Sequence, residues 1–186
     1  MSVSSVHASD EELEAGLDEV RRSPADEGEV VLIVRRPAEN EREVLEEAEF
    51  DLAEGLVGDS WRVRGSSRTP DGSANPNAQV TLMNARVVAM VAQERERWPL
   101  AGDQLYVDLD LSAENAPPGT RLALGSAVLE LTADPHTGCG KFTSRFGSAA
   151  TRLVNSPAGR SLNLRGRNAR VLEPGTVRAG DTIRKL

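Results

Sequence analysis

The sequence predicts a mainly β protein with a few short helices, its strands closed into a barrel. Three observations carry that expectation. Short apolar stretches in the C-terminal half are separated by turn signals at a spacing of roughly 8–12 residues. Residues 104–111 alternate strictly, with Leu105, Val107, Leu109 and Leu111 on one side and Tyr106, Asp108 and Asp110 on the other. Gly125-Ser126 then separates two strand-like runs, residues 121–124 and 127–132, at the spacing of a two-residue hairpin. At 186 residues the chain is long enough for one domain with a core that needs no covalent staples.

In chain order, Ser9-Asp10-Glu11-Glu12 has the form of a capping box. Leu13, Leu17 and Val20 follow at helical spacing, which predicts a short amphipathic helix to about Arg22. Ser23-Pro24 ends it. Residues 1–28 read as an N-terminal helical arm, and residues 29–186 as the barrel domain. Residues 30–34, Val-Val-Leu-Ile-Val, form a continuous apolar run of the kind found in buried strands. The acid-rich residues 39–54 are expected to form a solvated helix ending near Gly55. Residues 55–60 read as a turn, feeding a strand that starts at Trp61. The Gly-, Ser-, Pro- and Asn-rich residues 64–77 form a long loop. A short strand over 79–83 and a helix over 85–97, stopped by Pro99, complete the first half. Near the end, Val171 and residues 177–183 read as strands between the turns Pro174-Gly175 and Gly180-Asp181.

The net charge of −7 hides a division. Residues 1–60 carry 18 acids against 5 bases, whereas residues 121–186 carry 4 acids against 11 bases. Either the two ends neutralise each other, or the basic part has an anionic ligand. Nucleic acid is disfavoured, because aromatics for stacking make up only 3% of the chain and its overall charge is negative. No apolar run is long enough to span a membrane, and residues 1–10 lack a secretory pattern. The single cysteine precludes an internal disulfide and suits a reducing, cytoplasmic setting.

That cysteine lies in Ala-Asp-Pro-His-Thr-Gly-Cys-Gly-Lys-Phe, residues 133–142. A helix is expected from about Gly140, with Phe142, Phe146, Ala149, Ala150 and Leu153 on one stripe. Cys139 would then sit at a helix start, where backbone N–H groups favour the thiolate. Lys141, Arg145 and His136 add positive potential, and Gly138 and Gly140 leave room around the sulfur. The plainer alternative is a small buried hydrophobe, the usual role of a lone cysteine. With no second cysteine, and His7 in a start expected to be disordered, zinc is not supported.

Residues 102–147, from Gly-Asp-Gln-Leu through Gly-Cys-Gly-Lys-Phe, together with residues 159–184, resemble a MOSC domain, the C-terminal domain of molybdenum cofactor sulfurases. The similarity extends over about residues 55–186. The signatures are a Gly-Asp before a strand, the turn Ala116-Pro117-Pro118-Gly119, the Gly-Cys element, the turn Arg165-Gly166-Arg167 and a closing Gly-Asp. The resemblance implies a barrel like that of pyruvate kinase, with Cys139 as the functional residue. It implies two chemistries. In one, Cys139 carries a persulfide received from a cysteine desulfurase. In the other, Cys139 ligates molybdenum in a bound molybdenum cofactor that reduces N-hydroxylated compounds, with electrons from a partner. Cysteine and His136 would then be the catalytic pair, and Thr137, Lys141, Arg145, Arg165, Arg167 and Asn168 the cofactor-binding set. Pyridoxal phosphate, also associated with the family, belongs to a desulfurase domain that this sequence does not contain. No flavin, nicotinamide or iron–sulfur signature is present. A barrel serving only as a binding module is the alternative, with the acidic residues 39–54 as its docking segment.

Overall fold

The protein is described here by a computed structural model covering residues 7–186; residues 1–6, read above for targeting signals, lie outside the described residues. Ser9 caps helix α1 (Asp10–Arg21) through a reciprocal capping box with Glu12. Strand β1 (Glu27–Arg35) follows, then β2 (Glu43–Leu45), β3 (Glu47–Asp51) and β4 (Gly55–Leu56). Helix α2 (Trp61–Arg64) precedes the long loop, which ends in a 3-10 turn at Pro76–Ala78. Next come β5 (Val80–Asn84), α3 (Ala85–Ala92), a 3-10 segment (Arg95–Ala101) and β6 (Leu105–Asp108). The hairpin β7 (Arg121–Leu124) and β8 (Ala127–Leu131) leads to helices α4 (Gly140–Phe146), α5 (Ser148–Asn155) and α6 (Pro157–Ser161). The last strands are β9 (Arg167–Glu173), β10 (Gly175–Arg178) and β11 (Thr182–Lys185).

Seven strands close into a barrel in the order β11-β7-β8-β9-β5-β6-β1, with β1 returning to β11 through Glu27↔Arg184 and Glu29↔Thr182. Only the β5–β6 pair is parallel, and α3 with the 3-10 segment provides its crossover. A small sheet, β10-β3-β4, stands beside the barrel.

The apolar residues divide into two clusters that share strands. Val30, Ile33, Leu82, Leu105 and Val107 fill the barrel with Leu122, Leu129 and Ile183. Leu32, Val34, Met83 and Tyr106 point to the opposite face, onto Leu13, Leu17, Val88, Phe142 and Phe146. β1, β5 and β6 are therefore buried on both faces, which is why residues 30–34 are apolar without alternation. Helix α1 belongs to the second cluster and packs on α3; a Cβ at Gly16 would come within 2.4 Å of the Met90 sulfur.

Several sequence expectations are corrected. Residues 39–54 hold β2 and β3, not a helix: Ala48 and Phe50 are buried while Glu47 and Glu49 are exposed, a period of two that the acid count obscured. Trp61 starts a helical turn instead of a strand, because the Asp59 carboxylate accepts its N–H at 3.0 Å. The helix from Ala85 ends at Ala92, where Gln93 takes φ 64, and Pro99 lies inside the 3-10 segment. The Gly180-Asp181 turn divides the run 177–183 between β10 and β11. The stripe from Phe142 to Leu153 is two helices, α4 and α5, broken at Gly147, whose φ of 91 few other residues tolerate. His7 is ordered against this break: a Cβ at Gly147 would meet its ring at 2.7 Å.

Candidate functional site

A cleft of about 910 Å³ opens where the ends of four segments meet. Its walls come from residues 36–42 after β1, residues 58–64 around α2, Ala101-Gly102, and the stretch from His136 to Arg145 with Arg165. Seven cationic side chains line it, Arg36, Arg42, Arg62, Arg64, Lys141, Arg145 and Arg165, against the three carboxylates Glu39, Glu54 and Asp59. Two of these acids are already paired. Asp59 is buried against Arg36, with Oδ2 2.8 Å from Nη2, and exposed Glu39 meets Lys141 at 3.2 Å.

Behind the cleft lies a buried group centred on Asp103. Its Oδ1 is 2.8 Å from His136 Nε2 and its Oδ2 is 2.6 Å from Arg165 Nη1. Arg165 Nη2 also donates to the Ala101 carbonyl at 2.8 Å, and its guanidinium lies 5.1 Å from the Phe142 ring centre. Burial alone would raise the pKa of Asp103, but the charge of Arg165 and the His136 ring outweigh it and hold the group at about 2. Burial, followed by the Arg165 charge, lowers the pKa of His136 from 6.5 and keeps the ring neutral at pH 7. An ionised Asp103 can only accept, so His136 Nε2 carries the proton and Nδ1 is left with a lone pair.

Cys139 is exposed and caps α4 without a side-chain capping bond. The plainer reading of a buried hydrophobe therefore fails. Partial burial raises its thiol pKa, but the N–H groups of Phe142 and Lys141 and the charges of Arg165 and Arg145 bring it below 9.0. The preceding turn is pinned from α5: Asn155 accepts the Gly138 N–H at 3.0 Å and donates to the Gly138 carbonyl at 3.1 Å. A Cβ at Gly138 would meet Val154 at 2.9 Å, so this glycine serves packing; space is open only on the Gly140 side.

Of the residues singled out from the sequence, Cys139, His136, Lys141, Arg145 and Arg165 line the cleft together. Thr137 is exposed and is not among its lining residues. Arg167 and Asn168 do not reach it. The Arg167 guanidinium is buried on backbone carbonyls, the Ala116 carbonyl foremost, and Asn168 holds the Asp134 carbonyl at 3.1 Å and that of Pro135 at 3.3 Å. Gly166 brings the backbone against β5 and not against a ligand site, since a Cβ there would lie 2.3 Å from the Leu82 carbonyl oxygen. Sequence reasoning missed Asp103, although its Gly-Asp motif was noticed, and missed Arg36, Arg42, Asp59 and Arg64. Arg36, Arg42 and Asp59 come from the acidic first sixty residues, and Arg64 ends α2; the fold brings all four to the cleft. Among the described residues no three His, Cys, Asp or Glu side chains gather as a metal site, and no helix is long and apolar enough to cross a membrane.

The fold recurs in solved structures. YuaD from Bacillus subtilis superposes with a TM-score of 0.59 at 18% identity, over 84% of this chain and 94% of that one. YiiM from Escherichia coli gives 0.55 at 18% identity, over 85% and 69%, and YiiM from Geobacillus stearothermophilus gives 0.56 at 12%, over 86% and 75%. No curated protein matches the sequence. The MOSC domain profile matches residues 69–184, the greater part of the chain and the part that supplies Asp103, His136, Cys139 and Arg165. The chain belongs to the MOSC domain family.

Proposed function

We propose that the cleft holds a molybdenum cofactor, with the Cys139 thiolate as the protein's ligand to the metal. The observation that supports this best is the position of the only cysteine: exposed, acidified and opening into a cleft of about 910 Å³ with cationic side chains in excess. A persulfide carrier needs an accessible thiolate but not a cavity in the size range of small-molecule sites. The donor set also fits. A metal brought by an organic cofactor needs one protein sulfur, and the cofactor's phosphate needs Arg or Lys donors, for which Lys141, Arg145, Arg42 and Arg64 are placed.

When bound, the cofactor would supply the two-electron centre for reducing N-hydroxylated compounds. The chain's own residues have distinct roles. Arg165 and Asp103 fix the His136 ring, and His136 Nδ1 offers a neutral proton acceptor on the cleft wall. Electrons would come from a separate partner protein, in the reducing environment of the cytoplasm.

The test is molybdenum and tungsten analysis, with pterin fluorescence, on protein from a cofactor-competent host beside Cys139→Ser. Near-stoichiometric metal that is lost in the variant is the expected result. Metal and pterin absent from both samples would reject the reading. A mass gain of about 32 Da on Cys139 with a cysteine desulfurase, reversed by dithiothreitol, would then identify a sulfur carrier.

A further inference from the structure

The Cys139 thiol is carried by a main chain that its own segment does little to restrain. Residues 132–139, between β8 and α4, form neither helix nor strand. Glycines flank the cysteine, and a Cβ at Gly140 would meet nothing within 4 Å. Glycine has the most conformational freedom to lose, so a cysteine between two of them keeps one position only if something outside the segment holds it.

Helix α5 supplies that hold through two side chains one turn apart, Thr151 and Asn155. The Asn155 carboxamide engages both polar groups of Gly138, its Oδ1 accepting from the N–H at 3.0 Å and its Nδ2 donating to the carbonyl at 3.1 Å. A carboxylate could make only the first of these bonds. On the other side of the sulfur, the Thr143 hydroxyl donates to the Cys139 carbonyl at 3.1 Å, beside the helical bond from the Thr143 N–H at 2.9 Å. A hydroxyl has one proton. With its own on that carbonyl, Thr143 Oγ1 accepts from Thr151 Oγ1, 2.8 Å away. Contact between the turn and α5 is also tight, since a Cβ at Gly138 would lie 2.9 Å from Val154 and 3.4 Å from Thr151. Neither Thr151 nor Asn155 is among the residues that line the cleft, so both act through the peptide groups on either side of the thiol.

We infer that Thr151 and Asn155 are positioning residues, which hold the main chain of Cys139 from α5 and so fix the thiol in the cleft wall. The inference deepens the cofactor reading and rests on it only for what the thiol binds; the hold itself serves any ligand of that sulfur.

The single cysteine makes the test selective, because isotopic nitrogen labelling of cysteine gives one amide signal for the whole chain. In full-length protein made without cofactor, the order parameter of the Cys139 N–H should fall from about 0.85 to below about 0.6 in Asn155→Ala. Thr151→Val, which keeps the shape and loses the hydroxyl, should lower it as well, and Thr151→Ser should restore the parent value. Side chains that merely stabilised the fold would change the melting temperature and leave this amide as rigid as before. Thermal melts confirm that each variant is folded. A parent-like order parameter in Asn155→Ala, or in Thr151→Val, would overturn the role of that residue. Where the parent carries molybdenum, its loss on dilution should be about tenfold faster in both variants, the scale of one hydrogen bond. An unchanged rate in both would overturn the positioning role. If the parent carries no metal, the cofactor reading fails while the order parameter still decides this inference.

Discussion

Asp103 holds His136 by a contact of 2.8 Å to Nε2 at the back of a cleft that also contains the only cysteine. The aspartate side chain is fully buried, and its second oxygen is taken by Arg165 at 2.6 Å. One carboxylate therefore fixes the tautomer of a histidine and neutralises an arginine.

Asp103→Asn leaves the Arg165 guanidinium buried without its counter-charge. A loss of about 3–5 kcal/mol is expected, the range for breaking a buried pair from one side. Urea unfolding measures it. The double variant Asp103→Asn/Arg165→Met should recover part of the loss, and a double variant no more stable than the single one would show that charge pairing is not the cause.

Stability should fall on acidification in two steps. The folded value of His136 lies below its ordinary 6.5, so the unfolded chain takes up the proton first and stability declines as the pH drops through that value. Asp103, at about 2 when folded against 3.8 ordinarily, adds a second loss between those values. Urea midpoints at pH 8, 5.5 and 3 follow both steps. His136→Gln should flatten the upper one, and an equal slope in parent and variant would refute the assignment.

Cys139 should alkylate with iodoacetamide along a pH–rate curve whose midpoint lies below 9.0. Arg145→Gln should move that midpoint upward, because it removes one of the charges that favour the thiolate. Mass spectrometry of timed samples gives the curve. A midpoint above 9.0 in the parent would mean that burial dominates at the sulfur.

Gly166→Ala should cost about 1–3 kcal/mol from backbone strain alone, since φ is +121 there. The added methyl would also press on the Leu82 carbonyl at 2.3 Å and on His136 Cδ2 at 3.1 Å. Thermal unfolding reports the strain, and the imidazole resonances of His136 by NMR report its displacement. An unshifted His136 spectrum would show that the ring is not packed on this turn.

Much of the barrel was legible in the sequence because its signals are local. The alternation through Leu105, the Gly125-Ser126 hairpin and the Ser9 capping box each depend on neighbours a few residues apart; the hairpin and the box formed where expected, and the alternating run 104–111 is strand over Leu105–Asp108. Residues 39–54 misled because the acids on the open face of β3 dominate the composition, while only Ala48 and Phe50 mark the buried face. Cys139 and His136 stood out by rarity. Asp103, Arg36 and Arg42 did not, since arginine and aspartate are common and their roles are set by contacts across the fold, such as Arg36 with Asp59 and Arg165 with Asp103. The charge division was resolved both ways. Ion pairs such as Arg152–Asp10 and Arg178–Glu47 join the two ends, and a cationic cleft remains.

The pairing of β1 with β11 governs how the protein can be synthesised. β1 is the first strand of the barrel to leave the ribosome and β11 is the last, so the seam between Glu27 and Arg184 cannot zip until all the other barrel strands have been made. Until then residues 27–29 of β1 carry an unpaired edge, a feature that invites association with other chains. Slow translation would lengthen the exposure of that edge. A fragment cut to residues 69–184, where the family resemblance lies, would carry the same problem permanently: without β1 the barrel is an open sheet with edges at β6 and β11.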